Sequence, residues 1–369
     1  MIESLPMRVL MLSKACIVGI YQRKLEEIAR LGVDLLTLVP PSWQDERGET
    51  PLERVYTQGY RLEVLPIYRN GDFHMHFYGN LGEHMRRFQP DIVHIDEEPY
   101  NLAAWQALFW AQRVGARTLF FTWQNICRRY PPPFSWGEKW VLANVQHALA
   151  GTDSAAEVWR AKGYTAPISV IPQFGTDANL FMSAERPHHP FTIGYFGRLV
   201  EEKGVHLLIE AASKLSGDWR LYILGSGPQR EALEAQAAQL GISDCVDFKP
   251  WIASTDMPAQ YHEIDVLVLP SLTRANWKEQ FGRVLVEAMS SGVPVVGSDS
   301  GAIPDVIGDG GLIFPEGDIA ALTSALKRLQ TDSALYIRIR EAGRARVLAH
   351  FTHEQIAADT VNVYRAMMR

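Results

Sequence analysis

The 369-residue chain alternates short, mainly apolar runs with longer stretches whose apolar positions recur every three or four residues. Arg8 to Leu12, Val33 to Val39, Ile92 to Ile95, Thr118 to Thr122, Ala148 to Gly151 and Ile168 to Ile171 read as strands. Tyr21 to Leu31, Leu81 to Phe88, Leu102 to Val114 and Ser154 to Lys162 read as helices between them. Runs without polar alternation suit strands buried on both faces, and strand–helix repetition predicts a parallel, doubly wound sheet. The rhythm restarts with a strand from Phe191 to Phe196 and an amphipathic helix from Val205 to Leu215, then strands Val246 to Phe248 and Val266 to Pro270. Residues 173–190, which contain Glu185-Arg186-Pro187-His188-His189-Pro190, interrupt it and read as a linker. The expectation is an α/β protein with an N-terminal domain over 1–172 and a C-terminal one over 191–353. Both would be Rossmann-like halves facing a cleft, with ligands at the carboxyl ends of the strands.

Composition narrows the function classes. A length of 369 residues suits about two domains, and 47% hydrophobic residues can fill their cores. A net charge of −6 argues against nucleic acid as a partner, because phosphates reward a basic surface. Cys16, Cys127 and Cys245 are few and scattered, which fits a reducing compartment and neither a disulfide framework nor a zinc site. Met1 to Arg8 lacks the pattern of a signal peptide, and no apolar run is long enough to span a bilayer, so a soluble, cytoplasmic protein is expected. Arg23, Lys24, Arg86 and Arg87 fall on helices with apolar neighbours, which leaves peripheral contact with the inner face of a membrane open. Glu26, Glu27 and Glu83 dilute that charge.

Two segments carry candidate chemistry. Glu279 and Glu287 lie eight positions apart across a loop-to-helix junction. From Phe281 the residues Val284, Leu285, Ala288 and Met289 repeat at helical spacing, and Gly292 and Pro294 stop that helix. Glu279 is therefore expected at the helix's positive end and Glu287 deeper inside it, with Gly282 letting a ligand approach the first-turn amides. That arrangement suits a polyhydroxylated ligand carrying phosphate. The second segment, Gly197-Arg198-Leu199-Val200-Glu201-Glu202-Lys203-Gly204, follows a strand and precedes a helix. On its own it reads as a surface turn paired with Glu201 and Glu202.

Glu279-Gln280-Phe281-Gly282, Glu287-Ala288-Met289 and Gly292-Val293-Pro294-Val295-Val296 resemble the E-x7-E segment of glycosyltransferase family 4. Those are retaining enzymes of the GT-B fold that use nucleotide-sugar donors. Gly197 to Gly204 resembles the same family's segment that grips the donor diphosphate. The resemblance implies that Arg198 and Lys203 hold the diphosphate, that Glu279 meets the donor sugar and that Glu287 takes the ribose hydroxyls. It also implies a UDP- or GDP-linked donor, no cofactor, and a final helix, 354–369, that returns to brace the N-terminal domain. Fixed cations at the diphosphate act where charge accumulates during bond cleavage. The likeness covers nearly all of the C-terminal half but only the layout of the N-terminal half.

The remaining candidates are weaker. Lys249-Pro250-Trp251-Ile252 is a candidate for the nucleobase edge. On the acceptor side, Gly19 is what remains of the family's double-glycine loop, and Gln124 stands where family members often carry His. An amide binds a hydroxyl but exchanges no proton near neutral pH. Asp96-Glu97-Glu98 reads equally as a solvated acidic loop or as an acceptor-hydroxyl site. His74-Met75-His76 has strand-like spacing without a third ligand, and there is no Asp-x-Asp, so no metal is expected. Pro131-Pro132-Pro133-Phe134 reads as a stiff loop that could rim the cleft. Leu224-Gly225-Ser226-Gly227-Pro228-Gln229-Arg230 begins like a dinucleotide fingerprint, but Arg230 fills the third glycine position, which disfavours an oxidoreductase. The functional expectation is transfer of a hexose to a carbohydrate, lipid-linked or small-molecule acceptor. The alternatives are a nucleotide-sugar epimerase of the same architecture and a noncatalytic nucleotide-sugar-binding protein.

Overall fold

The computed structural model describes residues 6–45, 48–183, 190–252 and 256–369. The chain divides into two compact units, Met1–Gly175 with His353–Arg369, and Thr176–Thr352. Residues 184–189 of the expected linker lie outside the described residues; Thr176 to Ser183 belong to the second unit, where Phe181 is buried in the core.

The first unit runs β1 (Arg8–Leu12), α1 (Arg23–Arg30), β2 (Asp34–Val39), β3 (Ser42–Asp45), β4 (Gly48–Pro51), β5 (Arg61–Val64), β6 (Ile67–Tyr68), β7 (Phe77–Tyr78), α2 (Leu81–Phe88), β8 (Ile92–Ile95), α3 (Leu102–Val114), β9 (Arg117–Thr122), α4 (Phe134–Asn144), β10 (His147–Ala150), α5 (Asp153–Ala161) and β11 (Ile168–Val170). Seven strands form a parallel sheet in the order β11-β10-β9-β8-β1-β2-β5. Chain order reverses between β8 and β1, which makes their carboxyl ends the switch point where such sheets open for ligands. Successive side chains feed opposite layers. Leu10, Leu12, Val93 and Ile95 pack with Met85, Ala104 and Leu108 of α2 and α3. Val9, Met11 and Ile92 pack with Leu25 and Ile28 of α1 on the other face.

The second unit runs β12 (Phe191–Phe196), α6 (Val205–Ala212), β13 (Trp219–Leu224), α7 (Arg230–Gln239), β14 (Val246–Lys249), α8 (Met257–Tyr261), β15 (Val266–Leu269), α9 (Arg283–Ser290), β16 (Val295–Ser298), α10 (Ile303–Ile307), β17 (Gly311–Phe314), α11 (Ile319–Thr331) and α12 (Ser333–His350). Its six-stranded parallel sheet has the order β14-β13-β12-β15-β16-β17, so the reversal falls between β12 and β15. Asp318 and Asp332 cap α11 and α12, each accepting a backbone N–H three residues on at 2.9 Å.

The last helix, α13 (His353–Met368), belongs to the first unit. Ile356, Val361, Tyr364 and Met367 join the layer containing α1, and the Tyr364 hydroxyl lies 2.6 Å from Nδ1 of buried His94. Among the described residues, no helix is long and apolar enough to cross a membrane. Two of the four cations offered for membrane contact are spent internally. Lys24 is buried and donates to the Gln173 carbonyl at 2.8 Å, and Arg23 is held by Glu26 and Glu27.

Candidate functional site

At the switch point of the second sheet the chain leaves β12 through Gly197 and Arg198, makes a short helical turn at Glu201–Lys203, and enters α6. The neighbouring strand β15 leads into residues 271–282, which precede α9. These two connections meet. Lys203 Nζ lies 2.5 Å from Glu279 Oε2, joining residues 76 positions apart. Ser271 donates to the same oxygen at 2.9 Å, and the Trp277 ring lies 5.0 Å from the ammonium. Glu201 pairs with Arg274 at 2.8 Å, so the expected surface turn instead ties the two connections together. Gly301 adopts φ +58°, and a Cβ there would come within 2.2 Å of the Glu279 carbonyl, so close approach of β16's exit loop fixes the Glu279 backbone. Arg198 is exposed, and its guanidinium has no ion-pair partner among the described residues.

Glu287 sits inside α9, accepting from the Tyr261 hydroxyl at 2.7 Å and pairing with Arg283 at 2.7 Å. Glu279 precedes the Gly282 cap and Glu287 lies inside α9, but this difference in position along the helix brings no difference in exposure. Glu279 is 7% and Glu287 6% exposed, because the loop folds over Glu279 as the helix covers Glu287. The two carboxylates differ in partners. Gly282 caps α9 in the left-handed region at φ +75°, Phe281 packs edge-on against Phe351 at 5.8 Å, and Gln280 is exposed. Lys249 ends β14 paired with Asp247 at 3.2 Å, and Trp251 is exposed with its N–H 3.5 Å from Ser226 Oγ. Gly225 to Gln229 form a strand-to-helix turn before α7; Leu199 donates its N–H to the Ser226 carbonyl and accepts from the Gln229 N–H, both at 3.0 Å, while the Gly197 N–H donates to Leu224 at the end of β13.

The switch point of the first sheet is also an acid–base cluster. Asp96, Glu97 and Glu98 follow β8 and are no solvated loop. Asp96 accepts from Ser13 and from Gln173 at 2.9 Å; Glu97 pairs with Lys14 and lies 3.3 Å from His76 Nε2; Glu98 accepts from Thr122 Oγ1 at 2.7 Å and the Trp123 amide at 2.8 Å. His76 thus packs against Glu97 from a turn rather than a strand, while His74 is surrounded by Phe73, Tyr100, Tyr130 and Phe134. The Gly19 amide is committed to Glu53 at 2.6 Å. Gln124 is committed too, its Oε1 accepting from Lys162 at 3.1 Å and its amide nitrogen lying 3.4 Å from Tyr130. The Pro131 to Pro133 run leads directly into α4. No group of three His, Cys, Asp or Glu able to hold a metal occurs among the described residues.

Residues 178–346 match the family Glycosyl transferases group 1, and residues 20–173 match the family Glycosyl transferase 4-like domain. The sucrose-phosphate synthase of Thermosynechococcus elongatus superposes with a TM-score of 0.72 at 21% identity, covering 98% of this chain and 99% of that one. Anabaena HepE, solved with UDP and glucose, gives 0.68 at 18% identity, covering 98% and 100%. The fold is GT-B. Curated relatives of this GT-B chain include the lipopolysaccharide core biosynthesis glycosyltransferase LpsE of Rhizobium meliloti, 30% identical over 58% of this chain and 62% of that protein. Another is the 2-deoxystreptamine glucosyltransferase of Streptomyces kanamyceticus, 32% identical over 41% and 39%. The aligned part thus spans less than two thirds of either relative's length.

Within the GT-B chain, the sequence left Ser271, Trp277, Tyr261 and Arg283 unmarked, since Ser271 and Tyr261 reach a motif carboxylate from outside the motif, Arg283 lies one helical turn from Glu287, and Trp277 faces Lys203 instead. The first-sheet carboxylates also set a pH dependence. Burial opposes the Glu98 charge more strongly than Thr122 and the Trp123 amide favour it, pushing its pKa from 4.5 to about 7. Glu97 is buried as well, but Lys14 and His76 outweigh that and lower it from 4.5 to about 2. Between those Glu98 values the folded protein keeps a proton that the unfolded chain has released, so this group's contribution to stability falls as pH rises. Glu97 works in a separate window, its contribution being lost as pH drops from 4.5 through about 2. Glu98→Gln is expected to remove a downward slope of up to about 1.4 kcal/mol per pH unit. Urea unfolding at about pH 5 and about pH 7 would measure it, and an unchanged slope would exclude Glu98 as its source.

Proposed function

We propose that the chain is a retaining glycosyltransferase that moves a hexose from a UDP- or GDP-linked donor to a carbohydrate, lipid-linked or small-molecule acceptor. The observation that carries this reading is the Lys203–Glu279 contact at the second sheet's switch point. It brings the two motif segments into one place, where such sheets take phosphorylated ligands. Arg198 and Lys203 hold the diphosphate, Glu279 the sugar and Glu287 the ribose. The backbone at Phe281 and Gly282 completes the pocket, and Lys249 and Trp251 flank the base. The first unit receives the acceptor. In the reaction the bond between the anomeric carbon and the phosphate oxygen breaks, and the acceptor oxygen bonds to that carbon on the same face. The acceptor proton passes to the departing phosphate oxygen, whose growing charge the two cations stabilise.

Thermal shift against UDP-, GDP- and dTDP-sugars tests donor binding, because a ligand of the folded state stabilises by mass action. No shift with any of them would remove the reading. Nucleotide release that requires an acceptor distinguishes transfer from epimerisation. Because Arg198 and Lys203 supply the positive charge at the diphosphate, transfer is expected to survive EDTA. Activity lost on chelation and restored by magnesium or manganese would overturn the metal-independent form of the proposal.

A further inference from the structure

Helices α2, α3 and α4 form one layer over the first sheet, and their outer face takes no part in the sites above. They pack closely: a Cβ on Gly82 of α2 would lie 2.5 Å from the Trp110 ring of α3, and one on Gly137 of α4 would lie 2.0 Å from the Trp105 ring. The outward side carries large apolar groups. Trp136 of α4 is 67% and Phe109 of α3 41% exposed. The Arg113 guanidinium lies 4.2 Å from the Phe109 ring centre and 5.6 Å from that of Trp110, and Arg86 of α2 lies 5.4 Å from Trp110.

The charges on this face are mostly positive. Its exposed charged residues are Arg86, Arg87, Arg113, Lys139 and Glu83, four cations and one carboxylate, in a protein of net charge −6. Arg87 is neutralised by Glu63, whereas Arg86, Arg113 and Lys139 have no ion-pair partner among the described residues. Glu138, the other acid of α4, is buried against Lys162.

We propose that the α2–α3–α4 face docks on an anionic lipid bilayer, with Trp136 and Phe109 as interfacial anchors and Arg86, Arg113 and Lys139 against the headgroups. Indole and phenyl rings flanked by cations suit the boundary between headgroups and acyl chains, where an apolar body and a charged neighbour are both satisfied. Three unpaired cations are too few for a nucleic-acid surface, whose affinity grows with each phosphate neutralised. The proposal is independent of the sugar-transfer reading, since it concerns other residues and needs no substrate.

The test is co-sedimentation of the full chain with vesicles rich in phosphatidylglycerol and with vesicles of phosphatidylcholine alone. Binding is expected to the first, much less to the second, and to weaken as salt is raised. Arg113→Glu should lower the partition coefficient roughly tenfold or more. The double variant Trp136→Ser, Phe109→Ser should lose binding as well. Unchanged circular dichroism and melting temperature would show that these exposed-site variants fold. The proposal is overturned if the wild-type chain does not bind phosphatidylglycerol vesicles at low salt, if the variants bind as it does, or if it binds single-stranded DNA and no lipid.

Discussion

Lys203→Ala is expected to lower turnover by roughly 10²- to 10³-fold, the usual effect of removing one preorganised group that stabilises developing charge. The loss should fall on turnover more than on apparent donor affinity, since the diphosphate gains its charge only as the glycosidic bond breaks. The structure adds a complication that the test must separate. Lys203 also neutralises Glu279, so its removal leaves a nearly buried carboxylate held only in part, by Ser271 among its partners. Measuring Lys203→Ala in a Glu279→Gln background resolves the two roles, because there no carboxylate charge remains to be compensated. If Lys203 acts only as a partner of Glu279, it will cost nothing further in that background. If it holds the diphosphate, the drop will persist. Arg198→Lys should also fall short of full activity, because an ammonium does not reproduce the bidentate fork of a guanidinium on phosphate.

Glu287→Ala is expected to weaken binding of the free nucleoside diphosphate by about 1–3 kcal/mol, the cost of leaving buried hydroxyls without partners. Glu279→Ala should leave that affinity largely intact and impair transfer. The reason is the different company each carboxylate keeps. Glu287 is fixed by Tyr261 and Arg283, neither of which belongs to the Gly197 to Gly204 segment, whereas Glu279 is bonded directly to Lys203. Calorimetry with UDP and GDP on both variants is the measurement, and equal losses of affinity would end this division of labour. Tyr261 is itself fully buried, so Glu287→Gln is the useful companion variant, keeping an acceptor for its hydroxyl.

Much of this was legible in the residues. The strands Arg8 to Leu12, Ile92 to Ile95 and Phe191 to Phe196 could be read to the residue, because a strand covered on both faces is mostly apolar without polar alternation and stops abruptly at a loop. The hairpins β3–β4 and β6–β7 were not legible. In β3–β4 polar residues interrupt any apolar signal, and β6 and β7, at 2 residues each, are too short to show a period. Helix α4 was hidden behind three prolines that read as loop, although proline is compatible with the entry to a helix. At the site, glycines and charges marked both motif segments, but not that Lys203 and Glu279 touch. Nor did the local text at Asp96, Glu97 and Glu98 show that these acids are buried. Their partners, the neighbours Ser13 and Lys14, then His76 and Gln173, come from three other parts of the chain, and only the sheet order brings them together.

The placement of α13 has a consequence for how the protein is made. The second unit is one uninterrupted stretch, Thr176–Thr352, set between the two parts of the first. During synthesis the layer containing α1 stays open on one side until Ile356, Val361, Tyr364 and Met367 have left the ribosome. The unit translated first is therefore the one completed last. The inserted unit, holding all of its own core in contiguous sequence, can fold while its host still waits for a helix. A fragment cut after Gly175 would lack those side chains, whereas Thr176–Thr352 would lack none of its own.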